Sequence, residues 1–151
     1  MSDNLTTSSL AELFARDLNR LKKEISSYSD ETNLWKTDRG ITNSAGNLSL
    51  HLAGNLQHFI GAILGNSGYV RKRETEFSDT NIPREQLLEE MNQAMTAIAA
   101  TLPSLTTDSL EAIYPLQVFG KPMTTLHFLI HLQGHLNYHL GQINYHRRLI
   151  D

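Results

Sequence analysis

Four stretches of this chain place apolar residues at helical spacing, and polar, turn-forming segments separate them. The first runs from about Ser9 to Tyr28, where Leu10, Leu13, Phe14, Leu18, Leu21, Ile25 and Tyr28 follow one face. Ser9 and Glu12 have the form of a capping box at its start. The second is predicted over 45–64, with Leu48, Leu52, Leu56, Phe59, Ile60 and Ile63 as its stripe. Asn43 or Ser44 is its expected cap, and Gly65-Asn66-Ser67-Gly68 stops it. The third opens on Asn81 as cap with Pro83 just inside, and Leu87, Leu88, Met91, Met95, Ile98 and Leu102 carry it to Pro103. The fourth begins near Thr124 or Thr125 and runs to the C-terminus. No segment is strand-rich and no internal repeat is present. Such a chain can bury its stripes by packing helix on helix, so the expected class is all-α, a four-helix bundle with long connections.

The connections carry their own signals. Residues 29–43 are polar, contain the Asp38-Arg39-Gly40 turn, and hold Trp35, which is expected to pack on the nearest helix. Residues 69–82 are charged and read as solvated surface. Residues 104–122 suggest a short helix at Thr107–Ile113, then an extended loop or small hairpin from Tyr114 to Pro122.

A chain of 151 residues is the size of one domain, taken here as 1–151. It has no cysteine, which excludes a disulfide framework, a thiolate zinc site, an iron–sulfur cluster and a cysteine nucleophile. Lys and Arg total 13 against 16 acidic residues, for a net charge of −3, which argues against a nucleic-acid partner. No apolar run is long enough to span a bilayer, and Met1-Ser2-Asp3-Asn4 lacks the pattern of a secretory signal. The expected location is cytoplasmic, with no membrane partner.

The histidines are unevenly placed. Of seven, five fall in the last helix, namely His127, His131, His135, His139 and His146, and the first four repeat at i+4. Residues four apart on an α-helix are offset by about 40° and about 6 Å, so two such rings can point nitrogens at one metal ion. A third ligand from another helix would make a useful site, and His51 or His58 could supply it. Spacing alone leaves both open. The competing explanation is that histidines fill polar gaps in a bundle or sit on its surface. There is no Glu-x-x-His for a di-iron centre and no His-Glu-x-x-His.

The segment Asn47-Leu48-Ser49-Leu50-His51-Leu52-Ala53-Gly54-Asn55-Leu56-Gln57-His58 resembles the second helix of a DinB-like protein. His135-Leu136-Asn137-Tyr138-His139-Leu140-Gly141-Gln142-Ile143 resembles the last helix of that family, with its H-x-x-x-H-x-G-Q run. The Trp35 loop leading to the Asn43-Ser44 step is similar too, and the resemblance covers nearly the whole chain. It implies an up-down-down-up bundle holding a divalent metal ion, zinc or nickel, on His51, His135 and His139. Asn55, His58, His131, Tyr138 and Gln142 are then candidates for the pocket, and Gln142 is suited to orienting a ligand. His127 and His146 match no ligand position.

Characterised relatives of this kind include bacillithiol transferases and the mycothiol-dependent maleylpyruvate isomerase. The resemblance therefore implies a thiol-dependent S-transferase acting on a small molecule, with a low-molecular-weight thiol supplying the sulfur that a cysteine-free chain lacks. It also implies a homodimer. One alternative is a metal-dependent hydrolase of a small ester or amide. That reading wants a general base, and none of Glu24, Asp38, Asp79 or Glu111 is convincingly near the histidines. Another is a non-catalytic metal-binding or interaction bundle whose fourth ligand is His58 or His131. A DNA-repair role, suggested only by the family's name, conflicts with the charge balance.

Overall fold

The computed structural model describes residues 4–151. Its long helices are α1 (Leu5–Ser27), α2 (Ala45–Leu56), α4 (Arg84–Thr101) and α6 (Thr125–Ile150), with α3 (Arg73–Ser78) and α5 (Thr107–Glu111) as short helices between them. Short 3-10 turns occupy Glu31–Trp35 and Leu102–Ser104. Among the described residues there is no strand, only an isolated antiparallel bridge between Ile113 and Thr124. Helix α1 packs on α4 and α6, and α2 packs on the same two, so the four long helices close a ring of contacts. The expected stripes fill its interior: Phe14, Leu18, Leu21 and Ile25 from α1, Leu52 and Leu56 from α2, and Leu87 and Met91 from α4 are all buried, and Leu132, Leu136 and Ile143 from α6 join them. No helix among the described residues is long and apolar enough to cross a membrane.

Several helix ends depart from the sequence reading. α1 begins four residues before Ser9, because Asn4 caps it, its Oδ1 accepting from the Thr6 and Thr7 amides at 3.0 and 3.3 Å. Ser9 and Glu12 therefore lie inside the helix. Helix α4 starts at Arg84 with Pro83 as its cap residue, and the Glu31 carboxylate accepts the Arg84 amide. Asn81 instead takes a left-handed turn conformation, φ 56°. Ser44 caps α2, accepting from the Asn47 amide at 3.1 Å. Beyond Leu56 the second helix widens into a π turn at Gln57–Ala62 that an unbroken apolar stripe conceals. α5 stops at Glu111, and the following hairpin reduces to the one bridge. Trp35 packs on the start of α2, its ring so close to Gly46 that a Cβ there would meet it at 2.7 Å.

The largest departure is in 69–82. This segment is not simply solvated surface: it contains α3, and Glu76 and much of Arg71 are buried. Asn47 ties α3 to α2, its Nδ2 donating to the Glu76 and Asp79 carbonyls at 3.0 and 2.8 Å.

Candidate metal centre

α2 brings His51 against one turn of α6 that carries His135 and His139. Their nitrogens lie within 4.8 Å of one another. His135 Nε2 stands 3.2 Å from His51 Nε2 and 3.1 Å from His139 Nε2. Tetrahedral nitrogen ligands with bonds of about 2.0–2.1 Å stand roughly 3.3–3.4 Å apart, so both separations from His135 are close to those of ligands sharing one ion.

The outer nitrogens decide which way the lone pairs point. His139 Nδ1 faces Gln142 Oε1 at 2.7 Å, and an amide oxygen can only accept, so the proton sits on Nδ1 and Nε2 is free. His51 Nδ1 faces Glu76 Oε1 at 3.0 Å, with the same result. Burial would raise the Glu76 carboxyl, but hydrogen bonds from His51 and Arg71 and the charge of Arg71 outweigh it and hold it below the usual carboxylate range. His135 Nδ1 is buried without a partner. Two unprotonated nitrogens thus aim at His135 Nε2, an arrangement that a cation between them satisfies. Burial first, and then the neighbouring His139 and His51, push His135 down to about 4. Burial also lowers His139 against the opposing effect of Gln142. Both favour the neutral ring that binds metal.

The other candidates fall around this group. His131 is exposed and stacks its ring on His135, centroids 6.2 Å apart, with Phe119 edge-on at 4.8 Å. Tyr138 is exposed beside His139 at 5.4 Å, and Gln142 Nε2 donates to its hydroxyl at 3.4 Å. Phe77 of α3 covers His51 at 4.9 Å. Asn55 is buried, with its Oδ1 unpartnered. His58 lies against Phe59 at 4.7 Å, and neither it nor His131 joins the three-histidine group found among the described residues. His127 is exposed. His146 is buried elsewhere, between the Tyr28 hydroxyl at 2.6 Å and the Lys36 carbonyl at 2.8 Å.

Sequence reasoning found no carboxylate near the histidines, and here the structure corrects it. The group at hand is Glu76, while Glu24 is taken up by Arg147 and Asn144, both at 2.7 Å. The signal that could have found it is Gly54, one turn beyond His51. A Cβ at Gly54 would overlap the Glu76 carboxylate.

Fold and site together define an all-helical protein with three histidines able to hold one metal ion. The chain belongs to the family described as "Protein of unknown function (DUF1572)", whose pattern matches residues 5–151. No curated protein matches it.

Proposed function

We propose that this chain is a DinB-like bundle of up-down-down-up order and a divalent-metal-dependent enzyme, a thiol-dependent S-transferase using a low-molecular-weight thiol. The observation that carries the reading is the convergence of three imidazole Nε2 atoms, two of them freed by outer hydrogen bonds to Glu76 and Gln142. His51, His135 and His139 would hold the ion, zinc or nickel, since three neutral imidazoles suit either. When bound, such an ion supplies Lewis acidity and lowers the pKa of a thiol or water that it binds.

The chain's own residues define the rest. Gln142 and Glu76 orient two ligands from outside. Phe77, His131 and Tyr138 each stand against a different ligand ring and give the site an aromatic border suited to an apolar substrate portion. Glu76 is engaged by His51 and by Nε and Nη2 of Arg71, which leaves it poorly placed as a general base and favours the transferase over the hydrolase reading. Cytoplasmic location, where such thiols are kept reduced, and a homodimeric state belong to the same proposal.

The test is metal analysis and turnover side by side. Wild-type protein should carry close to one equivalent of zinc or nickel, and the triple variant H51A/H135A/H139A none. The loaded wild type should conjugate a low-molecular-weight thiol to an electrophilic small molecule. Equal metal content in both proteins overturns the site. Ester hydrolysis without thiol conjugation would give the hydrolase, and stoichiometric metal with neither activity the non-catalytic bundle.

A further inference from the structure

We propose that Glu76 is the positioning residue of this centre. Its carboxylate fixes His51 in the Nδ1–H tautomer, so that Nε2 faces His135 and His139 with a lone pair, and Arg71 locks the carboxylate in place. The inference rests on reading the three histidines as a metal centre.

The geometry is that of a preassembled support. Glu76 Oε1 stands 3.0 Å from His51 Nδ1. Arg71 grips the same carboxylate through two parallel bonds, Nε to Oε2 and Nη2 to Oε1, both 2.8 Å. Such forked pairing fixes a carboxylate in plane and direction. Arg71 is itself seated over the Phe59 ring, 5.6 Å from its centroid. The side chains of Arg71 and Glu76 are only 10% and 6% exposed, so neither is a loose surface charge. Gly54 leaves the space in which the carboxylate rests, and Asn47 pins the Glu76 carbonyl from the same helix.

The other His51 tautomer is disfavoured at Glu76 and incompatible with an ion held on Nε2. It would aim an Nδ1 lone pair at a carboxylate oxygen and an Nε2–H into the histidine cluster. Arg71 Nη2 also approaches His51 Nδ1, but at 3.3 Å, farther than the carboxylate oxygen at 3.0 Å. Because the carboxylate is paired with a guanidinium, the support adds no net charge. It sets ring orientation and tautomer while leaving the centre's positive charge available to substrate.

The experiment is nitrogen NMR of the histidine rings in the metal-free full chain, with cobalt affinity measured by competition titration in wild type, Glu76→Gln and Glu76→Ala. The wild-type spectrum should show His51 protonated on Nδ1. Glu76→Ala should mix the tautomers and weaken cobalt binding about 10–100-fold, the usual loss when a histidine ligand's outer partner is removed. Glu76→Gln, whose amide oxygen still accepts, should recover most of both. His51 protonated on Nε2 in wild type, or cobalt affinity in Glu76→Ala within twofold of wild type, overturns the proposal. The wild-type spectrum needs no variant, so misfolding of Glu76→Ala leaves the tautomer test intact. Failure of wild type to bind cobalt would overturn the metal reading instead, with the spectrum still reporting on Glu76.

Discussion

Gly54 and Glu76 interlock where α2 meets α3, the missing side chain of one being the seat of the other's carboxylate. Gly54→Ala should therefore act against its own helix propensity. Alanine at a helix interior gains about 1 kcal/mol over glycine, yet here it evicts a buried carboxylate and unpairs Arg71 and His51. We expect a lower melting temperature and weaker cobalt binding, read by thermal melts and competition titration. A more stable variant with unchanged affinity would contradict the interlock.

Tyr28 and His146 form a separate device that closes the start of the 29–43 loop onto α6. The Lys36 carbonyl can only accept, so His146 Nε2 carries the proton and Nδ1 accepts from the Tyr28 hydroxyl. Burial holds the Tyr28 hydroxyl far above its ordinary value, keeping it a donor. Tyr28→Phe strands a buried nitrogen and should cost about 1–3 kcal/mol in urea unfolding. Metal content should not change, since this pair lies apart from the three-histidine group.

Asp17 gives the fold an acid-sensitive joint. Its side chain is fully buried and accepts from Arg16 at 2.9 Å, Gln133 at 2.6 Å and Asn137 at 3.1 Å, tying α1 to the turns of α6 on either side of His135. Burial would raise its carboxyl, but the bonds from Arg16 and Asn137 and the charges of Arg16 and Arg20 hold it below the usual value. A depressed carboxyl stabilises the fold above the unfolded value, about 3.9, and that contribution is lost as pH falls through the lower folded value. Asp17→Asn should be about 1–3 kcal/mol less stable at pH 7. The gap should close as urea titrations move from pH 5 into the acid range. A gap independent of pH would count against the charged network.

An ion that binds only the folded chain stabilises it by mass action. Free zinc or cobalt at a hundred times its dissociation constant should add about 2.7 kcal/mol to unfolding, reversed by chelator. H51A/H135A/H139A should show no such response in the same melts.

The long helices were legible because each buries an apolar stripe, and periodicity reports burial directly. Their ends were less so. Ser9 and Glu12 fit a capping pattern, but Asn4 supplies the actual cap and Thr7 extends the buried face ahead of them. Asp17 was invisible because it sits within an otherwise apolar face, its burial made tolerable only by α6 partners over a hundred residues away. The grouping of His51 with His135 and His139, rather than His58, came from the family resemblance and not from spacing, which fits both. Glu76 escaped notice because its contact with His51 depends on how a charged loop folds back. Charge composition in 69–82 describes an average environment, whereas one turn of helix and one glycine select a single residue for the interior.

α6 buries Leu132, Leu136, Leu140 and Ile143 while presenting His135 and His139 from an adjoining face. Both duties share a single angular phase. Adding or deleting one residue within the helix would turn everything beyond it by about 100°, withdrawing ligands and core together. Substitution can explore the exposed positions of this helix, but length cannot change. Variation in size among functional descendants of this chain should accordingly collect in the 36–43 and 112–124 loops, where the reach and shape of the site's surroundings can change without rephasing the histidines.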